Sequence, residues 1–395
     1  MQNVLCPIWK LYAIRFFSSL IPAYVIERLY WEARGMSVQM VVYTEIIYAS
    51  MIVILELPMG IMADRWSRTN MLRLAAAMAC AEFMILLHAS QFWHFALVVI
   101  LAAVGRAARS GAEEAMLYDS LLQAGQSQQV EKHLGRLHAL DLLGTIVAAL
   151  CGGLLANHYG YSFNYWLSLG STLVALLFTL SLREPARTWG DGERLLPIRA
   201  YWTESVRFFR DQPSVLIVIL SGMITGAAVT LMDEFWQTYL DRVDIPVYAF
   251  GFFSAALFLV RMPGYLLAHR LAGVFRHRTL FTVVIASFAT GFGYLWWVRD
   301  VSSLAAMLLI GLTAGITETL ATGYLHHRID SRMRATLGSF QSLGEHVTLS
   351  LVGIGFGMFA ERTDIFGGFG FLSLVCGLYL IFFLVVRRKV HQAPE

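Results

Sequence analysis

Arg106, Arg109, Glu113, Glu114 and Asp119 all fall in, or at the end of, one apolar stretch near residues 93–118. An ionisable side chain inside hydrocarbon is costly and by default marks function: acids carry protons, and arginines capture anions. Arg106, Arg109 and Glu113 follow the spacing i, i+3, i+7 and share one helical face. Arg109 and Glu113 also stand four residues apart, the spacing of a direct pair on a continuous helix. Two readings stay open for this group. In one, the arginines hold an anionic group of a bound molecule and Glu113 is a proton site or a switchable counter-ion. In the other, the charges neutralise one another to hold helices together.

Other spans carry further candidates. Glu318 lies among Thr313, Thr317 and Thr322, and a lone carboxyl of that kind suits a proton carrier. Asp233 and Glu234 sit toward one end of their span and could gate, bind or simply be solvated. Asp141 with His138, and Glu345 with His346, are secondary proton-path candidates. Arg15 and Arg261 are available as counter-ions to Glu56 or to these acids.

The elements that must position these groups are membrane helices. Of 395 residues, 57% are hydrophobic and only 14% charged, with mean hydropathy +0.60; a soluble protein carries about 25% charged residues. Apolar runs of roughly 20 residues, long enough to cross a ~30 Å hydrocarbon core, recur along the chain. They fit twelve spans, at 8–31, 37–62, 70–90, 93–118, 134–157, 161–182, 213–239, 246–270, 278–298, 301–326, 334–360 and 365–386. The fold class expected is an all-α polytopic membrane protein. Arginine and lysine concentrate in alternate loops, around Arg65, Arg68, Arg73, Lys132, Arg183, Arg276, Arg328 and Arg387. The positive-inside rule then puts both termini in the cytoplasm of a cell whose plasma (inner) membrane holds the chain. Trp31, Trp93, Trp236, Trp296 and Trp297 fall near the opposite ends, as an interfacial belt would.

The polar interruption 183–212 separates two six-span halves, 1–182 and 213–395, and its pattern suits an amphipathic helix on the inner surface. The halves look duplicated: Pro58, Ala63, Arg65 and Glu113 recur as Pro263, Ala268, Arg270 and Glu318 at one constant offset. Cys6, Cys80, Cys151 and Cys376 form no CxxC pair and suggest neither a disulfide framework nor a metal site. The first apolar run has no cleavage signature and is expected to remain as the first span. No phosphate loop, metal spacing or nucleophile–base arrangement occurs, so no enzyme activity, cofactor or metal is expected.

The segment from Glu56 to Arg68 carries Gly60, Asp64, Arg65 and Arg68 between two spans and resembles the loop signature G-x-x-x-D-R-x-G-R-R of the major facilitator superfamily, with Ser67 and Thr69 as departures. The run from Gly144 to Gly153 resembles that superfamily's exporter signature G-x-x-x-G-P-x-x-G-G, with alanines at the central Gly-Pro. The stretch Arg109 to Asp119 resembles bacterial proton-coupled drug and metabolite exporters. The resemblance implies two six-helix bundles and a secondary transporter working by rocker-switch alternating access. It makes Pro58, Gly60, Asp64, Arg65 and Arg68 a conformational latch, whose second-half counterpart has His269 in place of the acid. Expected partners are a small-molecule substrate, protons and the bilayer, with no nucleic acid, and the chain is expected to be a monomer. The leading reading is proton-coupled export of a small amphipathic molecule with an acidic or zwitterionic group. Proton-coupled import, or a non-transporting receptor or lipid-handling protein on the same fold, are the alternatives.

Overall fold

The structure is a computed structural model that describes residues 6–65, 67–110, 112–123, 125, 129–184, 213–275, 277–328 and 334–390. Every regular element among them is helical. They are α1 (Cys6–Ser19), α2 (Glu27–Ala33), α3 (Val38–Arg65), α4 (Arg68–His88), α5 (Phe92–Arg109), α6 (Ala112–Gln123), α7 (Val130–Tyr159) and α8 (Tyr161–Leu180). Then come α9 (Pro213–Arg242), α10 (Phe250–Val274), α11 (His277–Trp297), α12 (Ser303–Arg328) and α13 (Arg334–Val390). The last is two helices meeting at Thr363 and Asp364, whose backbone is non-helical. Eight stretches are long and apolar enough to cross a membrane by length and composition, and one of them, Gly344–Val385, runs through that break. Exposed leucines such as Leu177, Leu266 and Leu351 give the helices apolar outer faces, as lipid requires.

Two expected spans are not continuous. The first breaks after Ser19, passes through a 3-10 turn at Pro22–Val25 and resumes as α2. Breaking a helix frees backbone polar groups, which an apolar setting must satisfy from elsewhere. Asn164 of α8 does so: its Nδ2 donates to the carbonyls of Pro22 (3.1 Å) and Gly152 (2.9 Å). The Ala23 N–H donates to Ser168 Oγ, also on α8, at 3.1 Å. Gly152 lets the turn seat on α7, because a Cβ there would come 2.5 Å from the Pro22 carbonyl oxygen. The fourth span breaks at Ser110, which leaves the helical region (ψ 126°) and separates α5 from α6.

The chain divides into two compact units, Met1–Gly192 with Pro246–Ala255, and Glu193–Ile245 with Ala256–Glu395. The opening of α10 groups with the first unit because Gly251 lies directly against the α7 backbone at Ala149. The core of the first unit includes Leu11 of α1, Met71 of α4, Ala112, Met116, Leu117 and Leu121 of α6, and Leu137 of α7. The core of the second is aromatic: Phe235 stacks on Phe356 at 5.0 Å, and Phe292 on Phe369 at 6.1 Å.

The two units repeat one device. In the first, the Tyr30 hydroxyl donates to the Leu86 carbonyl at 3.0 Å. In the second, Tyr239 donates to Leu295 at 3.0 Å, and in both cases donor and acceptor are 56 residues apart. Each tyrosine also packs on a ring from the last helix of its half, Tyr165 at 3.9 Å and Phe369 at 5.2 Å. Trp93 and Trp297 are exposed, as an interfacial belt needs, but Trp31 and Trp236 are buried and belong to the packing instead. Residues 185–212, which hold the expected amphipathic surface helix, lie outside the described residues.

Candidate functional site

The helix break at Ser110 decides the geometry of the first unit. It places Glu113 in the first turn of α6, off the axis of α5, so Arg109 and Glu113 do not pair as they would on one continuous helix. Glu113 is buried and instead accepts a hydrogen bond from Arg15 Nη1 of α1 at 2.9 Å. The same guanidinium lies beside Asp141 of α7, with Nε 3.0 Å from Oδ1, an ion-pair contact rather than an aligned hydrogen bond. Ser19 Oγ also donates to Asp141. Three helices therefore meet at one cation and two carboxyl groups. Farther along the same helices, the Tyr12 hydroxyl meets His133 Nδ1 at 2.5 Å. His138, the neighbour expected to accompany Asp141, is exposed.

The two arginines of α5 are less engaged. Arg106 donates through Nη1 to the Tyr48 hydroxyl at 3.3 Å and is exposed. Arg109 is half-buried and makes no hydrogen bond or ion pair with a described residue.

At the α3–α4 joint, Pro58 sits inside α3, which runs on to Arg65. The side chains of Gly60, Asp64 and Arg65 lie outside the described residues, so their part of the expected latch is untouched. Arg68 is described: it pairs with the buried Asp119 of α6 and donates to the Ala115 carbonyl at 2.9 Å. A partner not foreseen from the sequence is Glu184, after α8. Its carboxylate accepts from Ser67 Oγ (2.7 Å), the Arg68 N–H (3.0 Å) and the Thr69 N–H (2.8 Å), capping α4 together with Ser67 itself. Partial burial pushes the Glu184 carboxyl up, but hydrogen bonds from Thr69, Ser67 and Arg68 outweigh it and hold the group below its ordinary value.

In the second unit Arg261 of α10 pairs with Asp233 of α9, matching its expected use as a counter-ion. Glu234 is half-buried beside it, and Glu345 on α13 is exposed. Glu318 lies on α12, with its side chain outside the described residues. Of the first unit's candidates, Glu113 and Asp141 meet at Arg15 while Arg106 and Asp119 are held elsewhere, and Asp233 and Arg261 form a separate pair. Sequence reasoning missed a further set: Arg28 of α2, 3.7 Å from Glu27 and 3.2 Å from Glu45 of α3, and the buried Glu82 of α4. The signal was present, since Glu82 is an acid inside an apolar run, as Glu113 is.

Comparison with known proteins places this geometry. A sequence profile described as Major Facilitator Superfamily matches residues 10–353. The chain is 26% identical over 354 residues to the "Enterobactin exporter EntS" of Escherichia coli O139:H28 (strain E24377A / ETEC), covering 85% of this chain and 81% of that protein. The protein of the same description from Shigella boydii serotype 18 (strain CDC 3083-94 / BS512) matches equally. Among solved structures, the nucleoside transporter NupG superposes with a TM-score of 0.76 at 14% identity, covering 97% of this chain and 98% of that one. A D-xylose–proton symporter superposes at 0.70 with 10% identity, covering 95% and 97%. Both structural likenesses carry the fold alone. With a profile match over most of its length and the same helical fold, the chain belongs to the major facilitator superfamily.

Proposed function

We propose that this transporter exports a small amphipathic organic molecule with an acidic or zwitterionic group, driven by proton re-entry. Its two halves, 1–182 and 213–395, would alternate access about the linker 183–212. The observation that carries the reading is the Arg15–Glu113–Asp141 cluster, where one guanidinium at 2.9 and 3.0 Å serves two acids on two other helices. A proton arriving on either acid changes which carboxylate the arginine holds, and so couples protonation to helix position. Glu113, Asp141, Glu318 and Glu345 are the proton-coupling residues of this reading. In this reading Arg106 and Arg109 take the substrate's anionic group, and Glu113, Asp233, Glu234 and Glu318 are further substrate-binding residues. Pro58, Gly60, Asp64, Arg65 and Arg68 form the moving joint. The likeness to proteins named as exporters of enterobactin supports the outward direction. The alternate-loop arginines support a plasma-membrane protein with both termini inside.

Purified protein in liposomes tests this. Counterflow of a labelled substrate, drawn from acidic, zwitterionic and neutral amphipathic compounds with enterobactin among them, establishes transport without any gradient. Adding a pH gradient of either sign then assigns the coupling: substrate that accumulates in the lumen as protons leave it supports antiport, and substrate that accumulates as protons enter gives symport, and so import, instead. If no compound exchanges, the receptor alternative replaces transport.

A further inference from the structure

Glu82 is a buried carboxyl, 8% exposed, on the membrane-crossing helix α4. It makes no hydrogen bond or ion pair with any described residue. The charged group that acts on it is another acid, Glu27 of α2. Glu27 and Glu45 are themselves served by Arg28, which is buried and lies 4.7 Å from the Trp31 ring centroid. That cation is committed to two other carboxylates.

Tyr24, in the 3-10 turn, lies within electrostatic reach of Glu82, Glu27 and Arg109 of α5. Tyr48 of α3 lies within electrostatic reach of Glu82 and Glu45, and its hydroxyl accepts a hydrogen bond from Arg106 of α5. From α8, Tyr165 lies within electrostatic reach of Glu27 and Arg28, and Thr172 is hydrogen-bonded to Cys80. The acid of α6, Asp119, is paired with Arg68 at the opposite end of α4. An unpaired carboxylate in a low-dielectric interior costs several kcal/mol, whereas the neutral acid does not carry that cost. Glu113 differs in kind, because it already has a guanidinium at 2.9 Å.

We propose that Glu82 is a proton-exchange site of this transporter: a buried acid on a membrane-crossing helix, with no cation paired to it among the described residues. The proton would move between the carboxyl oxygen and water. The role in transport rests on the proton-coupled reading above, but the proton itself is measured without any substrate.

The test is difference infrared spectroscopy of full-length protein in lipid nanodiscs, stepped through the near-neutral pH range. The wild type is expected to show a protonated-carboxyl C=O band that Glu82→Gln loses and Glu113→Gln keeps. Glu82→Asp should retain the band with a shifted midpoint, which rules out misfolding as the cause of the loss. A band undiminished in Glu82→Gln overturns the assignment. If the band behaves as expected while the wild type ignores an imposed pH gradient, the proton site stands and the coupled-export reading falls. If the wild type is proton-driven and Glu82→Gln keeps both band and coupling, the reverse holds.

Discussion

Arg15 carries two carboxylates with one guanidinium, so the three positions respond unequally to substitution. Arg15→Gln leaves Glu113 and Asp141 facing each other without a cation, whereas Glu113→Gln leaves a matched Arg15–Asp141 pair. The first should destabilise clearly more than the second. Its cost should stay below the ~3–5 kcal/mol of breaking a fully buried pair, because the Asp141 side chain is 38% exposed. Denaturant or thermal unfolding in detergent checks the order, and equal losses would count against a shared guanidinium. Glu184 gives a second residue-scale expectation. Its folded-state value is depressed, so its contribution is complete above the ordinary glutamate value of about 4.3 and is lost as pH falls through the lower folded value. Glu184→Ala should cost about 0.5–1 kcal/mol at neutral pH, the low end for a cap since the group is exposed. The deficit against wild type should vanish in acid, as paired melting curves at the two pH values would show. Arg15 and Arg261 were legible as counter-ions because a cation in an apolar run needs an acid. The Arg109–Glu113 pairing was not, because spacing along a helix assumes a helix that does not break, and a Ser-Gly pair only permits a break.

Helices here are defined as much by where they stop as by where they run. The α1–α2 break depends on Asn164 to satisfy the Pro22 carbonyl and on Gly152 to admit it. Substituting Gly152→Val drives a side chain into that carbonyl and should cost about 1–3 kcal/mol, as overpacking does. Gly170→Ala on α8 is the matched control, since nothing lies within 4 Å of its Cβ position. There the helix propensity of alanine predicts a neutral or slightly stabilising effect. Thermal stability of the two variants separates them, and a Gly152→Val protein as stable as wild type would mean that the turn does not sit against α7. The glycines of the 144–153 run signal close helix approach, and Gly144, Gly152 and Gly153 all lie against neighbouring backbone. Their partners, the end of α1, the 3-10 turn and the start of α10, could not be named from sequence. Small residues record that something comes near without recording what.

For the molecule as a whole, hydropathy located the membrane helices because burying apolar side chains in lipid depends on composition summed over about 20 residues. The same summing hides a break of two or three residues, which is why the first and fourth spans read as continuous in sequence. Charge placement adds what hydropathy lacks, a direction. Lys and Arg near membrane ends resist translocation, and here they gather around Arg65, Arg73, Arg183 and Arg276, while the loops at Ser90 and Val301 carry little positive charge. Single cysteines at those two exposed loop positions, introduced in a chain with its four native cysteines replaced, should react with a membrane-impermeant maleimide on intact cells. A cysteine in place of Arg183 should react only after the membrane is opened. The opposite pattern would turn the molecule over and place the Glu184 cap and the Arg68–Asp119 pair outside. A proton gradient drives exchange in the same sense whichever way the chain is inserted, so this labelling fixes which end of each helix meets the cytoplasm, while the direction of transport is read from the imposed pH gradient.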